Sequence, residues 1–409
     1  MADHSLIESP EELEVLARRL SREKVIAVDT EADSFYHYHE KLCLVQIGYR
    51  GGIALVDPLL LPPKGLQPLA PIFADPNVRK ILHAAEYDLY VLNRYGGFRV
   101  RNLFDTMASA QLLGYPAVGL AALVERHFGV KLSKDQQRTD WSRRPLRNAQ
   151  VEYAASDVRY LVELTAILEK ELRAKKRLEW AQEEFLSLEE KEWSEREFDA
   201  TGYMRIKGAK KLSPRGLAVL REVFLVRDAR ARELDRPPFK VMGNGTLLEL
   251  AQKPPRSKRA LSGRKGMTEL VVRRLGQEVL DAVNRGLEGP EQPPPEKKPS
   301  GAPRRRLDRR AEARLDRLKR WRARRAKELS MDPGVFCPNV TLEEVAWANP
   351  ESPDDLLELG PVKGWWARSF GQEVIETVHA APAAEEGEAT TPRSGGGRRK
   401  HGAKTPSTS

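Results

Sequence analysis

The sequence predicts an α/β fold, a mixed sheet with flanking helices, followed by two small all-α helical-bundle domains. Three observations carry this reading. Short apolar runs rich in β-branched residues occupy residues 24–57 and then give way to alternating helix and strand patterns. Beyond residue 200 strand signals become scarce and helical periods dominate. Within that helical half, a block of sequence returns 95 positions later. A chain of 409 residues is also too long for a single hydrophobic core.

The elements follow in order. KVIAVD (24–29) is a short apolar run bounded by charge, hence a strand. LCLVQIGY (42–49) and GIALVD (52–57) form a hairpin through Arg50 and Gly51. A helix is expected over 66–74, a strand over 78–83 and a helix over 86–95. Further helices are expected near 105–114, 119–128 and 150–173. Antiparallel strands first and αβ units afterwards imply a mixed sheet covered by helices.

The repeat begins with ELDRPPFKVMGNGTLLELA at Glu233 and returns as ELSMDPGVFCPNVTLEEVA at Glu328. Asn244, Thr246, Glu249 and Ala251 recur as Asn339, Thr341, Glu344 and Ala346, and GQEVLDAV at Gly276 returns as GQEVIETV at Gly371. Thr246 with Glu249, and Thr341 with Glu344, fit the spacing of a helix-starting capping box. The expected domains are therefore 1–200 (α/β), 207–287 and 306–380 (helical). A stiff Pro-rich linker at 288–305 separates the helical pair, and a disordered tail is expected at 381–409.

The net charge of +10 is unevenly spread. Residues 1–200 hold 27 Lys and Arg against 32 Asp and Glu, whereas residues 201–409 hold 42 against 27. A basic half of this kind points to nucleic acid. The two cysteines, Cys43 and Cys337, lack metal-ligand spacing and exclude a disulfide framework, as suits a reducing compartment. No apolar run reaches the roughly 20 residues of a membrane span. The first 20 residues are acidic and amphipathic, unlike a secretory signal. A cytoplasmic protein that stays off membranes is the expectation.

Candidate chemistry lies in five residues. Asp29 and Glu31, two apart, share a face if the first strand runs through them. Asp88 stands in the first turns of the helix after the strand ending at His83. Tyr153 and Asp157, four apart, leave one face of a later helix. Each pair alone is as well read as a solvated surface feature. As a set, four acids converging at one sheet edge would repel strongly unless cations intervened. Carboxylate oxygens suit Mg²⁺ and Mn²⁺. Two such ions serve phosphoryl transfer by activating a water and stabilising the leaving oxyanion.

At these residues the chain resembles a known family. VDTE, HAAEYDL and YAASDVRYL resemble the three exonuclease motifs of the DEDD superfamily, in the subgroup whose third motif carries Tyr. The duplicated helical unit resembles the HRDC domain, and an exonuclease followed by two HRDC domains is the arrangement of the ribonuclease D family. The resemblance implies a ribonuclease H-like α/β sheet and a metal-dependent 3′–5′ exoribonuclease that releases nucleoside 5′-monophosphates. It also implies two divalent ions, Mg²⁺ or Mn²⁺. Asp29 would bridge both, Glu31 and Asp157 would hold the nucleophile-side ion, Asp88 would orient waters on the other, and Tyr153 would align the attacking water. The implied partner is RNA with a single-stranded 3′ end, such as a tRNA precursor; nothing in the sequence suggests more than a monomer.

Other residues draw on the same resemblance. The segment 133–146 becomes a substrate-side loop, with Gln137 and Arg138 at the RNA and Trp141 either stacking on a base or packing inward. His83 is expected to be structural. The basic stretch 304–327 either tracks phosphates or forms a solvated helix, and Trp321, Trp365 and Trp366 are expected in the cores of the small domains. A 3′–5′ DNA exonuclease on the same scaffold and a non-catalytic nucleic-acid-binding module are the competing readings, because no residue announces recognition of the 2′-hydroxyl.

Overall fold

A computed structural model describes residues 4–194, 198–292 and 308–380. The linker expected at 288–305 lies outside these from residue 293 onward. The tail expected at 381–409 and residues 304–307 of the basic stretch lie outside them as well.

The N-terminal unit is a six-stranded mixed sheet in the order β1-β4-β3-β2-β5-β6. Its strands are β1 (His4–Ile7), β2 (Val25–Ala32), β3 (Leu42–Tyr49), β4 (Gly52–Val56), β5 (Arg79–Leu82) and β6 (Leu103–Asp105). The three central strands β2, β3 and β4 run antiparallel, while β1 pairs parallel to β4 and β2, β5 and β6 are mutually parallel. Arg50 and Gly51 make the two-residue connection expected between β3 and β4. The edge strands β1 and β6, with four and three residues, carry too short a pattern to be read in advance. The helices of this unit are α1 (Pro10–Leu20), α2 (Ala70–Ala74), α3 (Glu86–Gly96), α4 (Thr106–Leu113), α5 (Leu120–Phe128), α6 (Asn148–Arg159), α7 (Leu161–Ala174) and α8 (Leu178–Glu189).

The single helix expected over 150–173 is in fact two. The chain turns at Tyr160, whose φ/ψ of −104°/−2° interrupts the ladder. α6 thereby lies across the central strands and α7 takes its own course. Gly48 on β3 permits the close approach, since a Cβ there would stand 3.3 Å from the Val158 carbonyl.

The two helical units comprise α9 (Pro214–Glu233), α10 (Pro238–Val241), α11 (Asn244–Gln252), α12 (Lys258–Ser262) and α13 (Glu269–Glu288), then α14 (Arg309–Glu328), α15 (Pro333–Phe336), α16 (Asn339–Ala348), α17 (Pro353–Leu357) and α18 (Gly364–His379). The 95-residue offset reappears as chemistry. Arg227 donates to the Met242 carbonyl and Asn244 Oδ1, and Arg322 donates to the Cys337 carbonyl and Asn339 Oδ1. The expected capping boxes do not form. Gly243 and Pro338 occupy the N-caps, so Thr246 and Thr341 fall inside the first turn. Their hydroxyls instead donate across each domain, to the carbonyls of Lys265 and Pro361. The S/T-x-x-E spacing was real, but each helix starts three residues earlier than that motif requires.

The two units meet the sheet domain differently. The second shares one continuous apolar core with it, through Trp321, Trp365 and Trp366, and Trp180 of α8 stacks on Trp365 at 4.5 Å. The first keeps a separate core, against which Tyr38 of the sheet domain packs, and otherwise touches the sheet domain through polar groups. There Asp235 accepts from the Tyr38 and His39 amides at 3.0 Å each and pairs with His37 Nδ1 at 2.8 Å, and Asp228 accepts from the Tyr38 hydroxyl. Both cysteines are free and buried. Among the described residues no helix is long and apolar enough to cross a membrane.

Candidate active site

The strand β2 runs through Asp29 and Glu31 to Ala32, so both carboxylates project from one face. α6 crosses that face and brings Asp157, with Tyr153 one turn earlier. Carboxylate oxygens of Asp29, Glu31 and Asp157 lie within 4.8 Å of one another. The Tyr153 hydroxyl donates to Asp157.

Asp88 stands beside this trio and is not part of the tight cluster. It is buried in the first turn of α3, where its Oδ1 accepts the Thr30 hydroxyl at 2.5 Å. The turn that places α3 is held by a residue the sequence reading passed over. Ala84 adopts a left-handed φ of 60°, which costs an L-residue about 1–2 kcal/mol. The buried Asp105 carboxylate offsets this by accepting four backbone amides, those of Ala84, Ala85, Met107 and Ala108, at 2.8–3.1 Å. His83, expected to be structural, is hydrogen-bonded to Thr106. Thr106 Oγ1 gives its proton to the Leu82 carbonyl and so accepts from His83 Nδ1 at 2.9 Å. An Asp before a helix was legible as an N-cap; its reach back to residues 84–85 was not.

The electrostatics match the crowding. Burial, then Asp157, push the Asp29 carboxyl well above its usual range. Burial, then Asp29, Asp157 and Asp88, do the same to Glu31. Burial and Asp29 raise Asp88 against the opposing Thr30 hydrogen bond. Asp157 is raised to about 7, chiefly by burial. Burial and the neighbouring Asp157 push the Tyr153 phenol upward, so it stays protonated and donates.

Desolvated carboxylates of one sign are unfavourable as a protein-only arrangement. The donor set is all hard oxygen, which suits Mg²⁺ or Mn²⁺ and not a soft metal. Gln46 faces Asp29 across the β2–β3 pair and is fully buried, yet neither of its amide atoms has a partner among the described residues. Unspent polar capacity next to crowded acids is what a site completed by an ion and its waters would leave. The residues present therefore fit divalent cations.

The segment 133–146 lies alongside. Gln137 and Arg138 are exposed, and the Arg138 carbonyl accepts the Tyr36 hydroxyl at 2.8 Å. Trp141 packs inward. It is 1% exposed, with its ring 6.1 Å from that of Tyr153, and so offers no face on which a base can stack. Arg144 fixes the segment to the sheet through Asp57 and the carbonyls of Cys43 and Trp141.

Residues 5–173 match the family model for a 3′–5′ exonuclease, and residues 216–283 and 311–378 each match that for the HRDC domain. Ribonuclease D of Pseudomonas paraeruginosa is 31% identical over 358 residues, which is 87% of this chain and 92% of that one. The chain belongs to the ribonuclease D family. Ribonuclease D of Granulibacter bethesdensis is 30% identical over 91% of each chain. The structure of Escherichia coli RNase D, an exoribonuclease involved in structured RNA processing, superposes with a TM-score of 0.66 at 26% identity, covering 93% of this chain and 100% of that one. The catalytic core of RRP6 from Trypanosoma brucei superposes with a TM-score of 0.64 at 32% identity, covering 70% and 80%. As a member of that family, the chain is a 3′–5′ exoribonuclease, a phosphodiester hydrolase acting on RNA; the family needs divalent metals, and the acidic cluster is where such ions fit.

Proposed function

We propose that the chain trims single-stranded 3′ ends of structured RNA, tRNA precursors among them, one nucleotide at a time in the cytoplasm as a monomer. Convergence of Asp29, Glu31 and Asp157 within 4.8 Å, with Tyr153 bonded to Asp157, carries this reading. Asp29, Glu31, Asp88 and Asp157 would hold two ions, Mg²⁺ or Mn²⁺. When bound, such ions lower the pKa of water and stabilise a leaving oxyanion. The remaining work falls to the chain. Asp29, central to the cluster, neighbours the other three acids, while Asp88 is kept in place by Thr30. The Tyr153 phenol stays protonated at neutral pH and is no base; with its one proton on Asp157, its role is to align the attacking water by accepting a hydrogen bond from it. Trp141 supports that phenol from behind, and the exposed Gln137 and Arg138 remain candidates for contact with RNA.

Incubating a 3′-extended tRNA with Mg²⁺ or with EDTA, and resolving products at single nucleotides, tests this. Stepwise loss of 5′-monophosphates that stops in EDTA supports it, and internal cuts or metal-independent loss would contradict it. Tyr153→Phe should lower kcat about hundredfold while leaving metal affinity near wild type, as expected for lost alignment.

A further inference from the structure

Two neighbouring cavities meet here, one between the sheet domain and the first helical unit and one within the sheet domain. One, of about 460 Å³, is lined by Tyr36, Asp140, Arg143, Asp235, Arg236 and Lys240 among others. The second, of about 450 Å³, shares Tyr36, Asp140 and Arg143 with it and continues past Arg147 to Gln150. Gln150 lies on α6 one turn before Tyr153, so the paired cavities lead from the N-terminal end of the active-site helix across to α10.

The lining is cationic where it is free. Arg143, Arg147, Arg236 and Lys240 are all exposed. The two carboxylates are spent: Asp235 on His37 and two backbone amides, Asp140 on Ser142 and a rim contact with Arg143 at 3.2 Å. A rim pair of this kind contributes little and is readily exchanged for a phosphate. Lys240 Nζ lies over one face of the Tyr36 ring, 3.7 Å from its centroid. Cations on both walls, with Tyr36 partly buried and one of its faces under Lys240, describe a track for a phosphodiester backbone more than a pocket for bases.

We infer that this cleft holds the RNA phosphates upstream of the 3′ nucleotide, with Arg143 and Arg147 on the sheet-domain wall and Arg236 and Lys240 on the helical wall. The inference rests on the exoribonuclease reading for the direction of the strand. It assigns the first helical unit a share in substrate binding a few nucleotides from the scissile bond. Apart from Leu234 and Pro145 the lining is polar or charged, so the RNA contributes the charge that the two domains themselves leave uncompensated.

The test is fluorescence anisotropy of a labelled single-stranded RNA, in EDTA so that binding is read without hydrolysis, over a series of salt concentrations. Full-length Arg236→Glu/Lys240→Glu protein should bind roughly tenfold more weakly than wild type, and the slope of log affinity against log salt should flatten by about 0.7 per lost phosphate contact. Arg273→Glu, on the exposed face of α13, should leave affinity and slope in place. Unchanged binding by the double variant would overturn the cleft, and so would an equal loss per charge in the Arg273 variant, which would reduce the effect to net charge. Mononucleotide release by wild type with Mg²⁺, followed in parallel, separates the two claims. Its absence would refute the nuclease reading whatever the anisotropy shows.

Discussion

Thr30 donates its hydroxyl to Asp88 Oδ1 at 2.5 Å, linking the strand that carries Asp29 and Glu31 to the helix that carries the fourth acid. The contact is buried and opposes the upward push on the Asp88 pKa. Thr30→Val keeps the shape and removes the donor, leaving a buried acid one partner short at a cost of about 1–3 kcal/mol. The expected outcome is a lower melting temperature, weaker binding of divalent metal and activity that needs a higher pH. Thr30→Ser should restore all three. A valine variant with unchanged metal affinity would show that the hydroxyl does not serve the site.

The metal-free site should be sensitive to pH in a defined direction. Asp29, Glu31, Asp88 and Asp157 all have folded pKa values raised above those of free carboxyls, Asp157 to about 7. A raised acid contributes stability that is fully present below its unfolded pKa, about 4, and is lost as pH climbs through the folded value. The melting temperature in EDTA should therefore fall as pH rises from 5 towards 8. Mg²⁺ should recover more stability at pH 8 than at pH 5.5, because bound cations favour the ionised acids. A metal-induced shift of equal size at both pH values would count against the cluster as the binding site.

The seam between the sheet domain and the second helical unit should behave as core. Trp365 is 1% exposed, stacks on Trp180 and donates its indole N–H to Glu184 at 2.8 Å, while Arg368 pairs with Glu183. Trp365→Ala should cost about 3–5 kcal/mol and be seen as a single lowered thermal transition. Two separate transitions, with the sheet domain melting as in wild type, would show that the seam is not part of one cooperative core.

The site was legible only as an ordered set resembling the DEDD motifs, although the face each pair shares is a local signal. Asp29 with Glu31 follows from strand alternation, and Tyr153 with Asp157 from one helical turn. What the sequence withheld depends on contacts between distant residues. Thr30 and Asp88 are 58 positions apart, and Asp235 meets His37 across 198. Trp141 lies in a polar, Arg-rich stretch whose local pattern says nothing of its burial; that comes from Arg144 pinning the segment to Asp57. Thr246 and Thr341 matched a capping box by spacing alone, and Gly243 and Pro338 took the cap positions. Strands of three or four residues at the sheet edges are set by their neighbours more than by their own pattern.

Asp29 neighbours each of the other three acids, and its replacement is the most direct test. Titrating Mn²⁺ calorimetrically into wild type and Asp29→Asn, alongside mononucleotide release from a single-stranded RNA, reads metal and chemistry together. Wild type is expected to bind two ions per chain and degrade the RNA from its 3′ end, and the variant to lose high-affinity metal and hydrolysis together while keeping its fold. An Asp29→Asn protein that still degrades RNA at the wild-type rate would contradict the assignment of this cluster as the catalytic centre.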